Sequence, residues 1–255
     1  MFKTGIVRPP GRNFADGLTT SEGPPDYPRA LDQHGEYCTA LEYCGLTVLL
    51  LPPDLAYPDS TFVEDVSIAT PSFAILTRPG AKSRAGEIET IREPIGRFFQ
   101  TIHEIETPGT LDGGDVCQAG THFFTGISQR TNEDGAKQLA SFLSREGYTS
   151  SFVDIRGMKN TLHLKSDVAY LGDNQLLVSQ AMAARKEFRG YDLIRVLPEE
   201  GYAANCVRVN DYVLVPDGFP RLEGELTRRG LKILLLAVSE FRKMDGGLSC
   251  LSLRF

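Results

Sequence analysis

The most informative stretch for the architecture of this chain is HLKSDVAYLGDNQLLVS, residues 163–179. Two apolar runs, 164–171 and 175–179, flank the triplet Gly172–Asp173–Asn174, a composition typical of a β-hairpin turn. A helical segment at 181–188 and a strand at 193–196 are predicted to follow. The stretch therefore predicts a unit of strand, tight turn, strand, helix and strand, with a polar residue at its head.

The same unit recurs along the chain. Hairpins are predicted at 66–78, 115–126 and 206–216, and helices at 87–99, 132–146 and 221–229. The polar residues at the heads of the units recur every 42 to 51 residues: Asp65, Asp112, His163, Asn205 and Cys250. A regular period of this size is typical of a radially repeated architecture. A doubly wound α/β sheet stays open as an alternative, because helix–strand alternation fits it too.

The fifth unit is incomplete at its C-terminal end. Residues 249–255 would supply its first strand, and residues 1–51 would supply the rest, including a helix at 29–44 with Gly45 just beyond it. We therefore predict five ββαβ modules in one domain, residues 1–255, closed by both chain termini. The five head residues are then expected to meet near the common axis.

Composition narrows the function classes. The 27 basic and 33 acidic side chains give a net charge of −6, which argues against a general nucleic-acid or anionic-membrane binder. The five scattered Cys form no CxxC pair and do not read as a disulfide framework. The N-terminal residues are too polar for a signal peptide, and the longest aliphatic runs are too short to span a bilayer. These features predict a cytoplasmic α/β protein.

Two residues could carry nucleophilic and proton-transfer chemistry. Cys250 follows Gly246–Gly247 in MDGGLSC, where backbone can approach a thiol closely, although a buried Cys usually serves packing alone. His163 suits proton transfer at neutral pH, but a lone His is more often structural. A zinc site would need three or four organised ligands, which no spacing here supplies.

Acidic residues gather at two module heads. The segment PDSTFVED, 58–65, contains Asp59, Glu64 and Asp65. The segment LDGGDV, 111–116, contains Asp112 and Asp115, and either of these two could face the axis. A buried acid at such a position needs a cationic partner. A calcium loop would require more oxygen ligands than DGGD offers.

Arg84 and Arg130 lie in loops before helices, where a guanidinium could hold a carboxylate bidentately. Acids for a cation, arginines for a carboxylate, a thiol and an imidazole fit a zwitterionic ligand such as an arginine derivative.

At these residues the chain resembles the dimethylarginine dimethylaminohydrolase family of the guanidine-modifying pentein superfamily. Arginine deiminases share the superfamily but carry a long helical insertion, which 255 residues cannot accommodate. The matching stretches are DGLT (16–19), PDSTFVED (58–65), RPGAKSRAGE (78–87), TLDGGDV (110–116), SQRTNEDGA (128–136), LHLKS (162–166), YAANC (202–206) and MDGGLSC (244–250).

The resemblance implies a five-bladed α/β propeller that hydrolyses Nω-methylated arginines to citrulline and an alkylamine through a covalent cysteine intermediate. It implies a small-molecule substrate and no cofactor or metal, and it admits a homodimer. In the implied catalytic roles, Cys250 is the nucleophile, His163 is the general acid and base, and Asp112 orients His163. In the implied binding roles, Asp65 with Glu64 binds the guanidinium, Asp59 and the backbone of Leu18 bind the α-amino group, Arg84 and Arg130 bind the α-carboxylate, and Phe62 packs against the substrate. Asp245 is expected to shape the loop that precedes Cys250.

Two other functions stay open from the residues. One is a related hydrolase of arginine itself or of another ω-substituted guanidine. The other is a non-enzymatic binding protein for cationic amino acids. The turn-rich residues 18–26 are a candidate lid.

Overall fold

The computed structural model describes residues 1–158 and 161–255. Two compact units are present: Met1–Val63 with Val196–Phe255, called unit 1, and Glu64–Arg195, called unit 2. The strands of the described residues are β1 Thr4–Val7, β2 Thr47–Leu50, β3 Ser67–Ala69, β4 Ala74–Leu76, β5 Ile102–Glu104, β6 Val116–Ala119, β7 His122–Ile127, β8 Thr149–Asp154, β9 Val168–Gly172, β10 Gln175–Ser179, β11 Asp192–Val196, β12 Val207–Val209, β13 Tyr212–Pro216, β14 Lys232–Leu236 and β15 Leu253–Arg254. The α-helices are α1 Tyr27–Tyr43, α2 Glu89–Gly96, α3 Glu133–Arg145, α4 Pro220–Arg228 and α5 Ser239–Arg242.

The strands of unit 2 form three-stranded sheets in the orders β3-β4-β5, β6-β7-β8 and β11-β10-β9. In the first two sheets an antiparallel hairpin comes first, and after a helix the third strand returns parallel to the second. The hairpin predicted around Gly172–Asn174 is confirmed, and Asp173 and Asn174 take the positive φ angles of 48° and 62° that such a turn uses.

Unit 1 contains the sheets β12-β13-β14 and β15-β1-β2. In the second sheet, β15 pairs antiparallel with β1 through Gly5↔Arg254 and Ile6↔Leu253, and β1 pairs parallel with β2. The predicted sharing of one module between both chain ends is therefore confirmed. The helix before β2 also ends as predicted, because Gly45 follows α1 at a φ of +92° that favours glycine.

Each unit has its own apolar interior. In unit 1, α1 buries Tyr37 and Leu41 against the sheet residues Val7, Val209 and Leu214. In unit 2, one core cluster lies between β3–β7 and α3, and a second one surrounds β9 and β10. Apolar burial of this kind is the main favourable contribution to folding, and it fixes the loops at the strand ends in place.

Some predicted elements differ from the observed ones. The helical segment predicted at 181–188 is wrong: it is a turn followed by a short 3-10 helix, Lys186–Phe188, because burial of Met182 and Phe188 in the core sets the chain path there. Strand β9 begins at Val168, since Leu164–Ser166 form a 3-10 turn capped by His163. Helix α2, Glu89–Gly96, contains Pro94 and is shorter than the helix predicted at 87–99. Among the described residues, no helix has the length and apolar character needed to cross a bilayer.

Candidate active site

His163 and Asp112 form a buried pair in unit 2. His163 Nε2 lies 3.0 Å from Asp112 Oδ2, and the second carboxylate oxygen of Asp112 accepts the Gly80 N–H at 2.8 Å. Burial alone lowers the pKa of His163, but the negative charge of Asp65, the bond to Asp112 and the charge of Asp115 outweigh it and raise that pKa to about 9. The imidazole is therefore a cation at neutral pH.

Asp65 lies beside this pair and is ionised. Its Oδ1 accepts the Gly114 N–H at 2.8 Å, and its Oδ2 accepts a proton of Arg84 Nη1 at 2.6 Å. Burial by itself raises the pKa of Asp65, but the charges of His163 and Arg84 outweigh burial and lower that pKa to about 2. Asp65, Asp112 and His163, called the acid–base cluster below, are thus fixed as two acidic groups around one imidazolium.

The two glycines of LDGGDV explain how these groups come so close. A Cβ at Gly114 would lie 2.8 Å from both Asp65 Oδ1 and His163 Nδ1, and a Cβ at Gly113 would collide with the Glu64 carbonyl. Only a residue without a side chain lets this backbone approach the cluster and donate to Asp65.

The acid–base cluster is also a donor set that a metal ion could use, since the ligand atoms of its three residues lie within 4.8 Å of one another. In this structure those atoms are engaged otherwise. Arg84 donates to Asp65, and the His163 Nε2 proton points to Asp112. A metal would have to displace a proton that His163 holds with a pKa of about 9.

Arg84 is buried, with only 5% of its surface exposed. Its Nε and Nη2 donate to the two oxygens of Glu87 at 2.9 and 2.8 Å, in addition to the Nη1 bond to Asp65. Glu87 lies inside a stretch that the sequence singled out, but its part in the cluster was not predicted. The i,i+3 spacing of the two residues was the available signal.

Three more ionisable side chains, Glu64, Lys165 and Asp115, belong to this part of unit 2. Glu64 Oε1 forms a 2.6 Å ion pair with Lys165, a partner that the sequence did not suggest. Asp115 accepts the Leu164 N–H at 3.0 Å and the Ser128 hydroxyl at 2.6 Å, which anchors the residue next to His163. Burial raises the pKa of Asp115 to about 6.

Cys250 lies in unit 1, in the segment 245–250 that we call the nucleophile loop, and 9% of its surface is exposed. Its Sγ lies 3.9 Å from Asn205 Nδ2, and Asn205 Oδ1 accepts the Ser249 N–H at 3.0 Å. A Cβ at Gly247 would collide with the Asn205 side chain, so the glycine permits this contact. Asn205 was predicted as a module head but not as a site residue.

The head residues converge within each unit. In unit 2 this holds for Asp65, Asp112 and His163, and in unit 1 for Asn205 and Cys250. The prediction that the residues at this period meet one another is confirmed to that extent.

The other four thiols lack this setting. Burial raises the pKa values of Cys38, Cys44 and Cys117 to about 11, which keeps them protonated and poorly nucleophilic at neutral pH. Cys206 is buried, and none of the five cysteines, all of which lie among the described residues, is in a disulfide.

Asp59 and Leu18, which are expected to bind the α-amino group of the substrate, both lie in unit 1. Both carboxylate oxygens of Asp59 lie near the Leu18 N–H, at 3.0 and 3.2 Å. Phe62 packs with Phe14 and Phe241, and its ring occupies the space that a side chain at Gly246 would need.

Asp245, which has a φ of 55°, accepts bonds from Thr20 and Ser21 at 2.6 to 3.1 Å. It therefore ties the candidate lid, residues 18–26, to the nucleophile loop.

Arg130 is half-buried, and its N–H donates to Ser128 Oγ at 2.9 Å. Gly80 makes room for its backbone, since a Cβ at Gly80 would collide with the Arg130 carbonyl. Arg84 thus contacts the acid–base cluster through Asp65, whereas Arg130 is more exposed than Arg84.

Comparison with known proteins identifies the family. No family model matches the chain. The dimethylarginine dimethylaminohydrolase of Pseudomonas aeruginosa is 46% identical over the full length of both chains, and the enzyme of the same name from Streptomyces coelicolor is 32% identical over 99% of this chain and 96% of its own. A crystal structure of a cysteine-to-serine variant of the Pseudomonas aeruginosa protein, complexed with citrulline, matches the full length of both chains with 45% identity and a TM-score of 0.97. The same figures hold for a histidine-to-glycine variant of a dimethylarginine dimethylaminohydrolase in an adduct with S-methyl-L-thiocitrulline.

These similarities confirm the predicted fold class, a five-module α/β propeller of the pentein type, and the predicted enzyme class, an amidine hydrolase. The chain belongs to the dimethylarginine dimethylaminohydrolase family.

Proposed function

We propose that this chain hydrolyses Nω-methylated L-arginines, namely asymmetric dimethylarginine and monomethylarginine, to L-citrulline and dimethylamine or methylamine. The observation that supports it best is the buried imidazolium of His163, held by Asp112 beside the ionised Asp65. This arrangement offers an acid for a departing amine next to a carboxylate for a cation. The citrulline complex and the thiocitrulline adduct of the relatives agree with such chemistry.

Asp65 with Glu64 would bind the substituted guanidinium. Asp65 has one hydrogen bond on each oxygen from Gly114 and Arg84, and an ionised carboxylate accepts about four, so it retains capacity for a substrate N–H. Because these groups are buried, their attraction to the cation is stronger than it would be at the surface.

An acidic residue would bind the α-amino group of the substrate, and basic residues would bind its α-carboxylate. Asp59 and the backbone of Leu18 would bind the α-amino group, Arg130 would bind the α-carboxylate, and Phe62 would pack against the substrate. Arg84 would bind the α-carboxylate together with Arg130.

The reaction would begin with attack of the Cys250 thiolate on the central guanidinium carbon, forming a C–S bond and a tetrahedral adduct. His163 as imidazolium then gives its proton to the leaving nitrogen, and the alkylamine departs with the electron pair of the broken C–N bond. A cationic thiouronium remains on the sulfur. Neutral His163 next removes a proton from water, and the hydroxide adds to the carbon. The hydroxyl proton of this second tetrahedral adduct then passes to solvent, the C–S bond breaks, and citrulline leaves as the thiolate is restored. No cofactor takes part in these steps.

Replacement of the thiol tests the covalent step. In Cys250→Ser, citrulline production is expected to fall at least about a thousandfold, because the hydroxyl is a far weaker nucleophile than a thiolate. Cys38→Ser is the matched control and should retain full turnover. In the wild type, rapid quenching should trap a mass adduct on Cys250. A Cys250→Ser variant with near wild-type turnover would exclude the mechanism, and binding without any adduct or turnover would indicate a binding protein.

Substrate choice is tested by competing arginine, monomethylarginine and asymmetric dimethylarginine. We expect the methylated substrates to have the higher kcat/KM. A preference for arginine would instead assign the chain to arginine hydrolysis.

We also propose a cytoplasmic location and a homodimer. The location is supported by the lack of disulfides among the five cysteines, which is typical of proteins in a reducing compartment. The homodimer follows from the resemblance, and sedimentation of the purified protein tests it.

A further inference from the structure

Asp115 is a buried carboxylate to which the proposed reaction gives no role. It is fully buried, and its two oxygens accept hydrogen bonds from two different loops of unit 2. Oδ1 accepts the backbone N–H of Leu164 at 3.0 Å, and Oδ2 accepts the hydroxyl proton of Ser128 at 2.6 Å. One side chain therefore joins the loop that carries His163 to the loop that carries Arg130.

Ser128 closes the loop that contains Arg130. Its Oγ accepts the backbone N–H groups of Arg130 and Thr131 at 2.9 and 3.0 Å, and its own N–H donates to the Thr131 carbonyl at 3.0 Å. The hydroxyl thus uses its one proton on Asp115 and both lone pairs on its own loop, which is the full hydrogen-bonding capacity of a serine side chain. The backbone that bears the Arg130 side chain is thereby fixed relative to Asp115.

Thr131 connects the same loop to Asp112. Its Oγ1 accepts the Asp112 N–H at 3.1 Å, and the Asp115 N–H donates to the Asp112 carbonyl at 3.0 Å. Asp112 in turn contacts His163 Nε2. Asp115, Ser128 and Thr131, which we call the Asp115 network, therefore fix the His163–Asp112 pair and the loop after Ser128 in one arrangement.

The network needs a side chain at position 115 that accepts hydrogen bonds without donating any. Leu164 and Ser128 both donate to it, and an ionised carboxylate is a pure acceptor. An amide would turn its NH₂ group either to the Leu164 N–H or to Ser128 Oγ, whose lone pairs are already used. Space for the carboxylate comes from Gly126, since a Cβ there would lie 2.9 Å from Asp115 Oδ1. Asn at this position therefore keeps the size of the side chain and breaks one of its two connections.

We infer that Asp115 is a positioning residue that aligns the imidazole of His163 with Arg130 as the ligand of the substrate carboxylate. The inference rests on the proposed function, from which it takes the roles of His163 and Arg130. A substrate held at its carboxylate must bring its leaving nitrogen to the imidazolium, so a shift between the two loops weakens binding and proton transfer together. Asp115 acts through Leu164 and Ser128, because its oxygens are directed at these two residues.

The first test is Ser128→Ala, which removes the hydroxyl between Asp115 and the Arg130 loop. The KM for monomethylarginine is expected to rise about tenfold, whereas the inhibition constant of its decarboxylated analogue should change less than about twofold. Ser128→Thr keeps the hydroxyl and should restore most of the affinity.

Thr70→Ala is the matched control for this variant. Thr70 Oγ1 also accepts two backbone N–H groups, those of the residues two and three positions later, at 3.4 and 3.1 Å, but in the turn between β3 and β4. It should alter neither constant.

The second test is Asp115→Asn, which affects both loops. The kcat for monomethylarginine should fall about tenfold or more, and its KM should rise as in Ser128→Ala. Glu200→Gln is the control, because Glu200 is a buried carboxylate that accepts the N–H groups of Arg221 and Leu222 at 3.0 and 2.7 Å at the start of α4. It should lower the Tm and leave kcat and KM unchanged.

Two results would overturn the inference. One is Ser128→Ala weakening both ligands by the same factor or neither of them. The other is Asp115→Asn lowering only the Tm, with kcat and KM of the wild type, which would make Asp115 a purely structural residue. If Asp115→Asn does not fold, Ser128→Ala and Ser128→Thr decide the question alone. A wild-type protein that releases no citrulline would refute the proposed function itself, which keeps the two failures distinct.

Discussion

Asp112→Asn is expected to shift the titration of His163 to lower pH. The Nε2–Oδ2 hydrogen bond of 3.0 Å joins a cationic imidazole to the Asp112 carboxyl group, and both side chains are buried. A charge-assisted bond contributes about 1.5–3 kcal/mol, and one pKa unit corresponds to about 1.4 kcal/mol. The pKa of His163, about 9 in the wild type, should therefore fall by about one to two units.

The assay is an NMR pH titration of the imidazole carbon-bound protons, with His34, His103 and His122 as internal references. The alkaline limb of the kcat/KM profile should move in the same direction, since fewer molecules then hold the proton for the leaving amine. Stability should respond too. A raised His pKa contributes stability that is present below the unfolded value of about 6.5 and is lost as the pH rises through about 9. The variant should therefore lose less stability than the wild type between these pH values.

Asp154→Asn is the control, because Asp154 forms an exposed ion pair with Arg156 at 2.6 Å. It should leave the His163 titration unchanged. A His163 pKa that stays within about 0.3 units of the wild type in Asp112→Asn would refute the assignment of this bond as a main source of the imidazolium charge.

Three further variants probe the loops around the site. Gly114→Ala inserts a methyl group 2.8 Å from two atoms of the acid–base cluster and should reduce turnover about a hundredfold. The control Gly35→Ala, whose added methyl group meets nothing within 4 Å, should keep its turnover and raise the Tm slightly. Equal turnover of the two variants would contradict this expectation. Asn205→Ala removes the acceptor that holds the nucleophile loop, and kcat should fall about tenfold or more with little change in KM; an unchanged kcat would show that the loop holds itself. Asp245→Asn weakens the attachment of residues 18–26, so limited proteolysis there should be faster and KM higher; unchanged cleavage rates would argue against the attachment.

The repeated hairpins were predictable from the sequence because turn chemistry and apolar alternation are local signals. Gly172–Asn174 marks its turn unambiguously, and the fixed period located the residues that meet at the strand ends. The segment 181–188 shows the limit of such signals. Its composition suits a helix, but burial of Met182 and Phe188 determines its path, and burial depends on residues distant in sequence.

The candidate site was predictable where a residue type itself specifies chemistry, as for Cys250, His163 and the acids. Its supporting contacts were not. That Glu87 holds Arg84, and Lys165 holds Glu64, depends on side-chain directions within two loops. An arginine in a loop is equally suited to a ligand carboxylate or to a protein carboxylate, and only three-dimensional packing distinguishes the two.

The pairing of β15 with β1 has a consequence for the order of folding. Unit 2 is an uninterrupted run of chain and contains the whole acid–base cluster, whereas unit 1 joins residues 1–63 to 196–255. The first can assemble from contacts of moderate sequence separation, while the second must close a loop that spans almost the entire chain, which is entropically slower. During synthesis, Asp65, Asp112 and His163 can thus be in place before β15, which follows Cys250, pairs with β1. We expect the thiol to become reactive only at the final step of folding, so that a partly folded chain has the acid without the nucleophile.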